Sequence, residues 1–409
     1  MSNNNNQWRP GRRVAIVGAG PGGVSAAIAM LKQGYDVRIF ERNPEPKPLG
    51  GAVLLSTPVL AILKSYGIEM SNFGSYTTVE FQNSKGEYRA DIPFNPSVEK
   101  AFGIKGWYYG VLRSSAFAKM LDLLPEGIIV PGSDFESYHE HDAGISVRFA
   151  NGTCVEADIL VGSDGVRSAV CRQAFGEQDL FHVGVRVWLA WCDPIDGIPP
   201  NSGVISHSHK YQASFFPMLH DGKPGYEWWI VEPASEKTAR PKDPQQYIRN
   251  IVKNWADPIP RLVEATNFNS QIFCWDVYNK PSMKTWSKGR VVCLGDAAHP
   301  VSPYAAYGMG MAIEDGYFLA KFLKGRDLSD LSTVKDSFSK FEEQRVAYTN
   351  HHVEFARKLG NFFHHMPYPL AKMRDFFLDN TGFLNKMLTK DYIEDSEKMS
   401  LSLSELHVN

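Results

Sequence analysis

The chain has no excess charge of either sign. Its 409 residues carry 43 Lys and Arg against 45 Asp and Glu, a formal net charge of −2. Nothing global therefore draws it to nucleic acid or an anionic membrane surface. Cysteine is scarce: Cys154, Cys171, Cys192, Cys274 and Cys293 are scattered, odd in number and without paired metal spacing. That argues against a disulfide framework and a metal site, and fits a reducing compartment. No apolar run is as long as a membrane span. Met1 to Gly11 is Asn-rich and lacks the apolar core of a secretion signal. No internal repeat or long linker is visible. The expectation is a cytoplasmic protein with no membrane span, no nucleic-acid partner and no metal. Residues 1–11 and 400–409 read as disordered ends.

Apolar residues make up 43% of the chain, enough for a large core and more than one domain. Arg13 to Val17 is a short β-branched run, as in a fully buried strand. Gly18, Gly20 and Gly23 follow with GxGxxG spacing, and Val24 to Gln33 reads as a helix ended by Gly34. The first glycine permits a tight turn, the second lets backbone approach a pyrophosphate, and the third lets helix and strand pack closely. Phosphates would sit on the unpaired N–H groups of the helix start. A second strand, Asp36 to Phe40, ends at Glu41, eighteen residues after Gly23. An acid there is placed to accept hydrogen bonds from a ribose diol. Arg42, beside it, is assigned to the same cofactor end.

Two further motifs follow. Asp158 to Ser168 is a strand entering an Asp164-Gly165 turn, and Gly289 to Leu294 is a strand entering Gly295-Asp296-Ala297-Ala298-His299-Pro300. With the three motifs in this order, the chain resembles the class A flavin monooxygenases, the aromatic hydroxylases related to p-hydroxybenzoate hydroxylase. The resemblance runs from about Arg12 to about Leu323. It implies FAD as cofactor, with Asp296 at a ribityl hydroxyl and Arg113 at the phosphates. Asp164 and Gly165 would serve the pyrophosphate and a transient NADH or NADPH. Pro303 and Gly308 would lie in a loop that passes the flavin ring and opens a helix through Ile313 to Phe322. Where the family usually reads Gly-Gln-Gly-x-Asn, this chain has Ala306-Tyr307-Gly308-Met309-Gly310. That puts side-chain bonds to the flavin in doubt and reshapes the cavity, with Tyr307 a substrate contact.

The implied fold is α/β, α+β overall: a Rossmann-like FAD-binding domain from 12–75, 101–180 and 275–330, and an antiparallel sheet domain for substrate from 76–100 and 181–274. C-terminal helices over 331–395 brace the domains or join a partner such as a second copy. Val204 to Met218 reads as one of the sheet strands. Side chains alternate at period two, so Tyr211, Ala213 and Phe215 share a face. That face is aimed at the flavin, with Tyr211 as catalytic candidate and Tyr211 and Phe215 as substrate contacts. His207 and His209 share its parity and read as surface residues.

The implied function is monooxygenation: one atom of O2 enters an electron-rich aromatic or heteroaromatic molecule through a flavin C4a-hydroperoxide, with NAD(P)H as hydride source. A flavin dehydrogenase or oxidase, a halogenase and a non-enzymatic GDI-like binding protein are the rivals. The halogenase signature Trp-x-Trp-x-Ile-Pro is not met by Trp228-Trp229-Ile230-Val231.

Overall fold

The computed structural model describes residues 8–46, 50–92, 96–106, 108–305 and 307–408. Ala306, singled out above, lies outside them, as do Met1 to Gln7 and Asn409 of the two ends. The chain is mixed α/β.

The first layer is a six-stranded sheet in the order Ser287–Lys288, Val291–Cys293, Ile159–Gly162, Arg13–Val17, Asp36–Phe40, Ile129–Val130. All neighbours run parallel except the outer Ser287–Lys288 pairing. The middles of the central strands are apolar, as in Val14–Val17 and Ile159–Val161, because both faces are covered: the Pro21–Lys32 helix packs on this layer, and so does a three-stranded antiparallel sheet of Phe135–His141, Gly144–Phe149 and Cys154–Ala157, whose Phe149 stacks on Phe40 at 4.4 Å. The Pro21–Lys32 helix packs on the Gly308–Leu323 helix. Gly316 makes that crossing close, since a Cβ there would lie 2.4 Å from the Ala26 backbone nitrogen.

The second layer is a nine-stranded sheet running Ile272–Asn279, Phe181–Cys192, Lys223–Pro233, Gln212–His220, Ser202–His207, Ser75–Asn83, Tyr108–Leu112, Ala52–Ser56, with Tyr88–Asp91 beside Ser75–Asn83. It is not purely antiparallel, because Ser202–His207 runs parallel to Ser75–Asn83. The single strand read over Val204 to Met218 is two strands, and Ser208 turns the chain between them by holding the Tyr211 N–H at 2.9 Å. The Asp221-Gly222 hairpin turn is left-handed at both residues (φ 49° and 76°). Ala52–Ser56 and Tyr108–Leu112 pair in this sheet, so the connection between the layers runs through segments whose sequence assigns them to the nucleotide domain.

The ends differ from expectation. Arg9 pairs with Asp36 at 2.7 Å and Gly11 is buried. Leu403 is fully buried, and the Val408 N–H donates to the Ala101 carbonyl at 2.7 Å. Apolar Met399 and Leu403 give 400–408 a packed face that its polar composition conceals. Among the described residues no helix is long and apolar enough to cross a membrane, and no cluster of three or more His, Cys, Asp or Glu could hold a metal ion.

Candidate cofactor and substrate site

A cavity of about 590 Å³ lies between the two sheets. At one end stands the glycine turn. Gly18 has φ +100°, and its N–H donates to the Phe40 carbonyl at 2.8 Å. A Cβ at Gly18 would meet the Ser163 carbonyl oxygen at 2.4 Å, and one at Gly23 would meet the Gly18 oxygen at 2.3 Å. Backbone therefore fills the space that side chains would need, and the helix start at Pro21 stays open to the cavity. Glu41 is buried. Its carboxylate accepts from the Ala19 N–H at 2.9 Å and from Asn43 through backbone (2.9 Å) and amide (2.7 Å). Glu41 also lines the cavity, so its acid is oriented toward whatever lies there.

Arg113 and Glu227 line the middle. The Arg113–Leu121 helix begins at Arg113 itself, with Leu112 at its cap and no side-chain cap bond. Burial pushes the Glu227 carboxyl well above the usual range, against the pull of the Ala52 N–H and Arg113. Burial lowers Arg113, and the Glu227 and Asp296 charges oppose it.

Asp296, Pro300, Ser302, Pro303 and Gly308 line the far end. Asp296 opens onto the cavity although protein rings it. That surrounding pushes its carboxyl upward, while His299, Arg113 and Lys280 draw it down. The Ser302 hydroxyl is buried and has no protein partner. A glycine-walled anion turn, an oriented acid one helix away, a half-buried arginine and an open acid opposite fit the pyrophosphate, ribose and ribityl parts of FAD.

Other sequence-selected residues stand elsewhere. Arg42 is exposed and is not part of the cavity wall. The Asp164 carboxylate caps the Ala169–Phe175 helix, accepting from the Ala169 N–H at 2.7 Å and the Val170 N–H at 3.2 Å. Its neighbours Ser163, Gly165 and Val166 line the cavity instead. The Tyr307 hydroxyl is turned beneath the loop, where it donates to Glu314 and sits 3.3 Å from the Ser56 hydroxyl. Only its ring borders the cavity, so the hydroxyl is not offered to a substrate.

The face chosen on the Gln212–His220 strand is corrected. Tyr211, Ala213 and Phe215 point away from the cavity into a second core with Trp188, Trp228, Ile248 and Leu262. The Pro244–Val252 and Ile259–Glu264 helices cover that side, and sequence inspection missed both. The cavity face is the other parity, with Phe216 and Trp229 in its wall. His207 is also corrected: it is 3% exposed, on the cavity side of the sheet. His209 is exposed. A signal was present. The covered face reads Ala213, Phe215, Trp228, Ile230, without a charge; the cavity face mixes Gln212, Ser214, Phe216 and Glu227.

Beneath the loop lies a buried ion cluster that the sequence did not reveal. Arg345 pairs with Glu314 at 2.9 Å and Asp315 at 2.8 Å, and His299 meets Asp315 at 2.5 Å. Asp315 also accepts from the Gly295 N–H at 3.0 Å, fixing the start of the Asp296 turn. Burial opposes ionisation of Asp315, but His299 and Arg345 outweigh it and hold the carboxyl down at about 2.

A family model described as FAD binding domain matches residues 12–327. The chain is 28% identical over 328 residues to 6-hydroxynicotinate 3-monooxygenase of Pseudomonas fluorescens, covering 76% of this chain and 82% of that one. It is 26% identical over 356 residues to aurachin C monooxygenase/isomerase of Stigmatella aurantiaca, covering 86% and 90%. Among solved structures, Klebsiella pneumoniae HpxO complexed with FAD and uric acid superposes with a TM-score of 0.80 at 20% identity, covering 98% of each chain. That likeness shows the shared fold.

Proposed function

This chain belongs to the FAD binding domain family and is a flavoprotein monooxygenase, and from that premise we propose that it uses NADH or NADPH and O2 to insert one oxygen atom into an electron-rich aromatic or heteroaromatic small molecule. The observation that carries the reading is the single cavity running from the Gly18–Gly23 turn past Asp296 and Pro303 to the apolar underside of the large sheet.

Bound FAD supplies the hydride acceptor and the centre that activates O2. The chain's residues hold it and shape its surroundings. Gly18, Gly20, Gly23 and Arg113 would take the phosphates, Glu41 the ribose diol, and Asp296 a ribityl hydroxyl. The open N–H groups at the start of the Gly308–Leu323 helix would stabilise negative charge on a reduced flavin ring held beside them. Phe216, Trp229 and Leu189 line the sheet side with apolar surface and would exclude water from the reacting centre. The Asp315–Arg345–Glu314 cluster ties the Gly308–Leu323 helix to the Asp296 turn, so the two segments that would flank the flavin share one framework.

The test is anaerobic mixing of FAD-loaded protein with NADH and, separately, NADPH. Bleaching of the flavin absorbance by one of them, then O2-dependent recovery, is expected. Protein whose flavin neither nucleotide bleaches, with or without aromatic ligands, contradicts the reading.

A further inference from the structure

A side cavity of about 60 Å³ opens against the main one and shares Leu54, Trp229 and Pro303 with it. It therefore meets the main cavity beside the loop that passes the ring position. Its walls come from the cavity face of the large sheet (Val79, Phe81, Ile205) and from Phe355, Leu359 and Phe363 of the Leu331–His364 helix. No Lys, Arg, Asp or Glu lines it among the described residues.

Its polar groups are neutral. His207 stacks on Phe363 at 3.7 Å and lies 6.4 Å from Phe81, and its Nδ1 has no protein partner. Burial drives its basicity well below the ordinary value, and His364, Arg89 and Arg374 add to that. Gln212 spends an amide N–H on Ser214 at 3.1 Å. The guanidiniums whose charge reaches His207 do not line the cavity: Arg89 pairs with Asp379 at 2.6 Å and Asp375 at 3.5 Å, and Arg374 with Asp375 at 2.6 Å and the Phe362 and Phe363 carbonyls. Both arginines stand behind the wall rather than in it, each paired with an aspartate. A carboxylate in the side cavity would lose its water and find no charged side chain in the wall to replace it, an unfavourable exchange.

We propose that this side cavity sets the substrate class: an uncharged aromatic whose apolar edge or substituent enters between Ile205, Phe81 and Leu359, and which bears no carboxylate there. The inference rests on the monooxygenase reading and narrows it. It separates this chain from relatives whose printed names specify a carboxylated ring, as in 6-hydroxynicotinate and 3-amino-4-hydroxybenzoate.

The experiment titrates FAD-loaded protein at pH 7 with 2-naphthol and with 6-hydroxy-2-naphthoate, reading the perturbation of the flavin spectrum. Ring and hydroxyl are held constant and only the carboxylate differs. The naphthol should bind at least tenfold tighter. Equal binding, preference for the naphthoate, or no response to either overturns the proposal. Ile205→Lys places a cation in the wall and should raise naphthoate affinity at least tenfold; a yellow, folded variant without that gain also counts against it. If the variant does not fold, the wild-type pair decides. Protein that takes up no FAD would sink the functional reading itself, whereas yellow protein that prefers the naphthoate sinks only this inference.

Discussion

The ring of Tyr307 occupies the space that a side chain at Gly310 would need: a Cβ there would lie 2.7 Å from the ring. Two of the three departures from the family's usual loop, Tyr307 and Gly310, are thus one change. A tyrosine folds under the loop to reach Glu314, and a glycine makes room for it. Gly310→Ala should destabilise the protein by about 1–3 kcal/mol by overpacking. The cost should shrink in a Tyr307→Ala background, leaving a coupling of about 0.5–3 kcal/mol in a urea-unfolding cycle. Strictly additive costs would show that the two residues do not compete for this space.

Cofactor retention should depend on Glu41 and Asp296. Each variant to Ala should weaken FAD binding by about 1.5–3 kcal/mol, the worth of a hydrogen bond to a charged group. Equilibrium dialysis followed by flavin absorbance measures it. Glu41→Ala should be the more damaging to the fold, because its carboxylate also holds the Ala19 N–H in the turn. Unchanged affinity in both variants would remove them from the cofactor site.

Tyr211→Phe should leave FAD affinity and coupled turnover unchanged, since the residue faces the helix-covered core. Trp229→Ala, in the wall shared by both cavities, should divert NAD(P)H to hydrogen peroxide by admitting water. Peroxide yield per nucleotide consumed is the readout. A large loss of coupling in Tyr211→Phe would restore the opposite face as the active one.

The nucleotide half was legible because its chemistry is local. A buried strand, three glycines and an acid occur within thirty residues, and Arg13–Val17, Pro21–Lys32 and Asp36–Phe40 form where the pattern puts them. The substrate half depends on which sheet face a distant helix covers. Period two gives two faces but does not say which is outside, and Ile248 and Leu262 decide that from far along the chain. The Arg345 cluster was hidden for a similar reason: its partners Glu314 and Asp315 lie about thirty residues away on another helix.

Stability should fall as the pH drops from about 6.5. The His364 Nδ1 lies 3.0 Å from the Lys210 carbonyl, and burial holds its pKa down at about 3 against an ordinary 6.5, with His365 and Arg374 adding to the effect. The unfolded chain therefore takes up the proton first. The neutral ring's contribution is intact above about 6.5 and is lost between there and about 3, at up to about 1.4 kcal/mol per pH unit. Asp315, held at about 2 against an ordinary 3.8, adds its own loss only below about pH 4, outside the pH 7 to pH 5 comparison. Urea unfolding at pH 7 and pH 5 should show a smaller drop for His364→Gln than for wild type; equal drops would contradict the assignment.

The central claim is that an oxygen atom of O2 ends in the substrate. It is tested most directly by turnover under ¹⁸O₂ with NADH or NADPH and uncharged phenols, hydroxypyridines and naphthols, followed by product mass. The account predicts a product carrying one ¹⁸O, with one nucleotide and one O2 consumed for each product formed. A product that has lost two hydrogens and gained no oxygen, or whose new oxygen comes from water, would contradict it.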